Sequence, residues 1–250
     1  MGDHLKGLGS TRSCHQTNHL LQTPDTFVRA PLPGMLNATA IVHAAPAMGA
    51  QFVEYSVEMA PGGTLAANGS QRFVYVSQGS IDVDCSGEHK SLEPGGYCYI
   101  PPDVDHQITS HEATVAFVIE KPYDVMPDVE TPAFFGGSSS EIDAVPLMGD
   151  ANVRVQMLIP ELAQFDFAVN IMNFDPGASL SMVEIHFMEH GLMQLQGGGI
   201  YKLGDCWHPI TAGDFIWMAP YCPQWFGALG KEPARYLIYK DWNRAPAVYL

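Results

Sequence analysis

The chain has 250 residues, 46% of them hydrophobic, and a formal net charge of −15. That length suits one large domain or two of about 100–150 residues, with ample material for a core. The acidic balance argues against nucleic acid or an anionic membrane as partner and fits a solvated surface.

The opening MGDHLKGLGSTRSCHQTNHLL has no uninterrupted apolar run of the kind a secretory signal needs. No stretch of the chain approaches the roughly 18 apolar residues of a membrane span. The five cysteines are scattered without a CxxC pair, so neither a disulfide framework nor a thiolate metal site is readable. Together these features read as cytoplasmic. The following NHLLQTPDTFVRAPLPG is too rich in proline for a helix, and residues 1–45 are expected to pack as an extended arm.

Beyond the arm, the chain contains itself twice. FVYVSQGSIDVDCSGEHKSLEPGGYCYIPPDVDHQI begins at Phe73, and LMQLQGGGIYKLGDCWHPITAGDFIWMAPYCPQWF begins at Leu192. Gly79, Gly95, Pro102 and His106 of the first match Gly197, Gly213, Pro220 and Gln224 of the second at a constant offset of 118. Upstream, PGGT (61–64) and PGAS (176–179) correspond at 115, so the second copy carries about three extra residues between. Short alternating windows such as Phe73-Val74-Tyr75-Val76 lie between Gly, Pro and Asp turns and predict strands. The expected fold is all-β: an N-terminal barrel over 46–122, a Pro/Gly/Ser-rich linker over 123–147, and a C-terminal barrel over 148–250.

The window SMVEIHFMEHGLMQL (181–195) carries the strongest chemical signal. Glu184 and His186, two apart on a strand, would share one face, while Ile185 and Phe187 would pack on the other. His190 follows after a short bend, and Gln224 lies 34 residues later on another strand. Two imidazoles, a carboxylate and an amide oxygen form a fairly hard ligand set. Such a set suits manganese(II) or iron(II) in octahedral coordination with two open positions, and suits zinc less well. The first copy offers Ala66, Asn68, Arg72 and His106 at the corresponding positions, a set unable to hold a divalent cation. The N-terminal barrel is therefore expected to be metal-free.

These residues resemble the cupin superfamily, whose first motif, G-x5-HxH-x3,4-E-x6-G, here becomes ExH-x3-H-x6-G. The second motif ends on Gln224 where a histidine is usual. The permuted Glu-His-His-Gln order is similar to the (S)-ureidoglycine aminohydrolase family of bicupins. The likeness runs from LLQTPDTFVRAPLPG through APAMGAQFVEY (45–55) and EIHFMEHG (184–191) to YLIYKDWNR (236–244). It implies a manganese(II) enzyme of allantoin degradation that exchanges the α-amino group of (S)-ureidoglycine for hydroxyl, giving ammonia and (S)-ureidoglycolate. It also implies Glu184, Tyr201, Tyr236 and Lys240 at the substrate, with Glu184, Tyr236 and Lys240 catalytic, and a homo-oligomer that could exchange its arms. The other readings are an iron(II) dioxygenase on the same ligands and a non-catalytic bicupin that binds a small molecule.

Overall fold

The computed structural model describes residues 11–241 and 244. Residues 1–10 of the expected arm, and residues 242, 243 and 245–250 of the expected C-terminal barrel, lie outside the described residues. Nearly all regular structure is strand, and it forms two barrels in tandem.

The first eleven strands are β1 (Cys14–Gln16), β2 (His19–Gln22), β3 (Met35–Ala44), β4 (Val53–Ala66), β5 (Gln71–Gln78), β6 (Ile81–Cys85), β7 (Glu88–Leu92), β8 (Gly96–Ile100), β9 (His106–Ser110), β10 (Thr114–Lys121) and β11 (Phe135–Ser138). The other nine are β12 (Val145–Leu147), β13 (Asp150–Met157), β14 (Ala168–Phe174), β15 (His190–Gln196), β16 (Gly198–Leu203), β17 (Cys206–Thr211), β18 (Phe215–Met218), β19 (Gln224–Ala228) and β20 (Ala234–Lys240). The N-terminal sheet runs β11-β8-β5-β10-β4-β9-β6-β7, with β3 also on β4. The C-terminal barrel combines β1-β2-β18-β15-β20-β14-β13-β12 with the small sheet β17-β16-β19.

The repeat is visible in the backbone. Gly79 and Gly197, and likewise Gly95 and Gly213, turn with positive φ at the expected offset of 118. Asp103 and Tyr221 do the same at φ 58° and 63°, although nothing in their side chains announces it. They lead into β9 and β19, which begin on His106 and Gln224.

Strand parity sorts the side chains into three cores. On β20, Tyr236 and Ile238 face the interior of the C-terminal barrel, while Leu237 and Tyr239 face the seam between the barrels. The seam is aromatic: Phe52 stacks on Tyr239 at 4.0 Å between centroids, and Phe73, Tyr97, Tyr99, Phe167 and Trp217 fill the rest. Burial on both faces explains why YCYI, FIWM and YLIY are continuous apolar runs rather than alternating ones.

Both barrels finish their edges with strands from outside the repeat. The arm strand β2 pairs with β18, so the arm lies on the C-terminal barrel of its own chain. Arg12 locks it there with two hydrogen bonds to Asp214, at 2.5 and 2.8 Å. The strand β3, also within the segment expected as an arm, pairs instead with β4 of the N-terminal sheet. From the expected linker, β11 pairs with β8, the counterpart of β18. Each barrel thus covers one exposed edge.

A buried carboxyl on the seam contributes strongly to the pH dependence of stability. Glu54 is fully buried, neither of its oxygens has a hydrogen-bond partner, and burial pushes its pKa up to about 8. The unfolded chain, with Glu54 near its ordinary 4.5, releases that proton several pH units earlier. Folding stability should therefore fall as pH rises from about 4.5 to 8, by on the order of a few kcal/mol. Melting temperatures recorded from pH 5 to 8.5 should show this slope in the wild type and a flatter profile in Glu54→Gln.

Candidate metal centre

The segment before β15 is not the strand the sequence suggested. Residues 182–189 are irregular, with Glu184 held to Gln224 by a single bridge in which Glu184 N donates to Gln224 O at 2.8 Å and Gln224 N to Glu184 O at 3.0 Å. The expectation that Ile185 packs against a partner face is corrected: Ile185 is 62% exposed, with Met182 and Val183 also exposed. Without regular pairing on both sides this stretch bulges away from the barrel. That bridge, together with the Tyr221 N–H donating to His186 O at 2.7 Å, aims Glu184 and His186 at the interior.

The four expected ligands nevertheless converge. His186 Nε2 lies 2.8 Å from the Gln224 side-chain amide, 3.5 Å from His190 Nε2 and 3.8 Å from a Glu184 oxygen. Neighbouring donors around a six-coordinate ion, with bonds of about 2.0–2.1 Å, stand about 3 Å apart. His190 Nδ1 donates to the Tyr239 carbonyl at 3.1 Å, which leaves Nε2 as a bare lone pair facing the centre. Burial and the neighbouring His186 and Lys240 hold its pKa well below the ordinary value, so the ring is neutral. Two imidazoles, a carboxylate and an amide gathered at these separations form a donor set that fits a divalent cation. Turning the Gln224 amide over places its oxygen towards that centre and its nitrogen towards Tyr201.

The floor is formed by β16, β19 and β20. Tyr201, fully buried, has its hydroxyl 3.3 Å from the Gln224 side-chain amide, whose nitrogen donates to it once the amide is turned, and shares a hydroxyl contact with Tyr236. Burial raises both phenol pKa values, so the hydroxyls stay protonated. Lys240 sits opposite His190 across the β15–β20 pair and points into the same space. Its burial lowers the ammonium pKa, while Glu184 opposes that shift. With its amide suitably turned, Asn170 accepts from Lys240 Nζ at 3.1 Å, a partner the sequence did not reveal. The site is graded: His190, Gln224, Tyr201 and Tyr236 are buried, whereas Glu184 and His186 form a partly exposed lip.

The same register in the N-terminal barrel holds a different arrangement. Arg72 takes the place of His190, and Glu120 lies opposite it as Lys240 does opposite His190. The Arg72 guanidinium bonds Glu120 at 2.7 Å, His106 Nε2 at 2.7 Å and Ala66 O at 3.1 Å, and Tyr55 donates to Glu120 at 2.8 Å. A fixed positive charge thus occupies the middle of the positions that would have to ligate. Because Arg72 is 3% and Glu120 12% exposed, Arg72→Ala would strand a buried carboxylate. We expect it to destabilise the fold by about 3–5 kcal/mol, measured by urea unfolding.

Comparison with known proteins agrees with this architecture. Residues 47–123 match the EutQ-like cupin domain family and residues 170–239 the cupin domain family. An (S)-ureidoglycine aminohydrolase from Arabidopsis thaliana is 38% identical over 97% of this chain and 82% of its own length. One from Escherichia coli (strain K12) is 32% identical over 91% of this chain and 89% of its own length. The crystal structure of protein Ylba from E. coli superposes with a TM-score of 0.84 at 30% identity, covering 96% of this chain and 98% of that one. Two tandem cupin domains and likeness sustained over nearly the full length mean that the chain belongs to the (S)-ureidoglycine aminohydrolase family.

Proposed function

We propose that this chain hydrolyses (S)-ureidoglycine to (S)-ureidoglycolate and ammonia, with manganese(II) held by Glu184, His186, His190 and Gln224. The observation that carries the reading is the convergence of Glu184, His190 and Gln224 on His186 Nε2, with Lys240 placed beside them across one strand pair. When bound, the ion would act as a Lewis acid and template that fixes the substrate's stereocentre.

The reaction breaks the bond from the α-carbon to its amino nitrogen and forms one to oxygen, with the proton balance met by water. Lys240, an ammonium in a buried wall, pairs with the substrate carboxylate and strips it of water. Glu184, at the partly exposed lip, accepts a proton as water enters. Tyr201 holds Gln224 in place, and Tyr236 holds Tyr201 while presenting its own hydroxyl to the ureido group. The N-terminal barrel, closed by Arg72 and Glu120, is metal-free in this reading and supplies the aromatic seam that supports β15 and β20. A cytoplasmic homo-oligomer in purine catabolism completes the proposal, with the exposed Met182, Val183 and Ile185 suited to burial between subunits.

The test is ammonia release from ureidoglycine generated in place from allantoate by its amidohydrolase, since the compound decays unaided. Enzyme-dependent release that requires added manganese is expected, and oxygen consumption instead would identify a dioxygenase. Tyr236→Phe should lower turnover by no more than about tenfold, because one neutral hydrogen bond contributes roughly 0.5–1.5 kcal/mol.

A further inference from the structure

A second donor set lies where the arm meets the C-terminal barrel. Cys14 on β1, His19 on β2 and His208 on β17 each offer one ligand atom, and these atoms all lie within 4.8 Å of one another. The Cys14 sulfur is 3.9 Å from His208 Nδ1 and 4.0 Å from Nε2, so a small rotation of the imidazole aims either nitrogen at a shared centre. His19 is 3% exposed; its Nδ1 is engaged by Asn18 Oδ1 at 3.0 Å, while its Nε2 is buried with no hydrogen-bond partner. An unmatched buried imidazole nitrogen is costly unless something takes its lone pair. Burial lowers the pKa of both His19 and His208, which keeps both rings neutral and able to ligate.

The scaffold around the three is fixed by the arm's pairing. Cys14 lies opposite Leu21 in the β1–β2 hairpin, and His19 pairs with Met218, which in turn pairs with His190. Asn18 O accepts from Ala219 N at 3.0 Å. The sequence concealed this site because its cysteine has no CxxC partner and its third member is 189 residues further on than the second.

We infer that Cys14, His19 and His208 bind zinc(II), or an ion of the same borderline-soft class, and so pin the N-terminal arm to the C-terminal barrel. One thiolate and two imidazoles select such an ion, whereas the carboxylate-containing set at His186 suits a harder one. The fourth position is left to water. Binding forms the metal–sulfur bond and releases the Cys14 thiol proton to solvent, so affinity rises with pH.

The inference is independent of the function proposed above and can be tested without substrate. Full-length protein, reduced and preloaded with manganese, is titrated with cobalt(II) and, separately, with zinc(II). We expect one further equivalent of cobalt, a thiolate-to-cobalt charge-transfer band, and a higher melting temperature with zinc. Cys14→Ser and His208→Ala should lose the band and weaken binding at least tenfold, with manganese retained. His186→Ala should keep the band, which separates this site from the other one. His208 is only half-buried, so its variant carries the test if Cys14→Ser fails to fold. A natively folded wild type with no thiolate band, or a band that survives Cys14→Ser, overturns the inference.

Discussion

His190→Ala should reduce bound manganese from about one ion per chain to near zero and ammonia release to background. His190 is buried, and its Nδ1 is committed to the Tyr239 carbonyl, so no neighbouring group can take over the lone pair at Nε2. Losing even an outer-shell partner of a metal ligand typically costs 10–100-fold in affinity, and losing one of four ligands costs more. His186→Ala should behave alike, because the other three donors are gathered around His186 Nε2. His106→Ala in the N-terminal barrel is the matching control. It removes a partner of Arg72 and should leave manganese content unchanged, at a cost in stability alone. Metal analysis must count manganese rather than total metal, since zinc at the arm would persist. Stoichiometric manganese in both His186→Ala and His190→Ala would refute the ligand assignment. Half the metal lost in His106→Ala would place an ion in each barrel.

The duplicated barrel was legible because turns constrain sequence more tightly than strands do. Gly79, Gly95 and their counterparts at 197 and 213 need left-handed backbone, and that requirement survives where side-chain identity does not. The cluster was legible for a related reason: polar residues set among apolar ones at strand spacing are drawn to one place, and Glu184, His186, His190 and Gln224 do come together. What stayed hidden depends on long-range pairing. Nothing local in Cys14-His15-Gln16 or Phe135-Gly136-Gly137-Ser138 shows that these segments extend the sheets of two different barrels. The parity expected of Glu184 and His186 holds, but Ile185 finds no partner face, because a period of two predicts packing only where both neighbours are paired and here there is one isolated bridge. Glu120 was equally opaque. Its meaning comes from Arg72 opposite it, in a register that a β-bulge near Val115 shifts by one residue.

Both barrels carry that bulge, at Ser77 and Leu195, so Lys240 stands opposite His190 as Glu120 stands opposite Arg72, and the pair shows how one scaffold can hold opposite charges. In the N-terminal barrel a buried cation on β5 faces an anion on β10. In the C-terminal barrel a neutral imidazole on β15 faces an ammonium on β20, with Glu184 as the main source of compensating charge. Such an ammonium, without a directly bonded carboxylate, is expensive to keep for stability alone. It becomes favourable when an anionic substrate enters. Lys240→Met keeps the apolar stem and removes only the charge. We expect it to fold with an unchanged or higher melting temperature, retain its manganese, and lose at least about a hundredfold in turnover, the scale typical of a missing proton-transfer or charge-stabilising group. Because burial depresses the Lys240 pKa, the wild type should lose activity on the alkaline side earlier than an ordinary lysine would impose, as the ammonium gives up its proton. That alkaline limb should be absent from whatever activity Lys240→Met retains. Near-native turnover in Lys240→Met, with the limb intact, would reduce the lysine to a buried strand end and leave the chemistry to Glu184 and the metal.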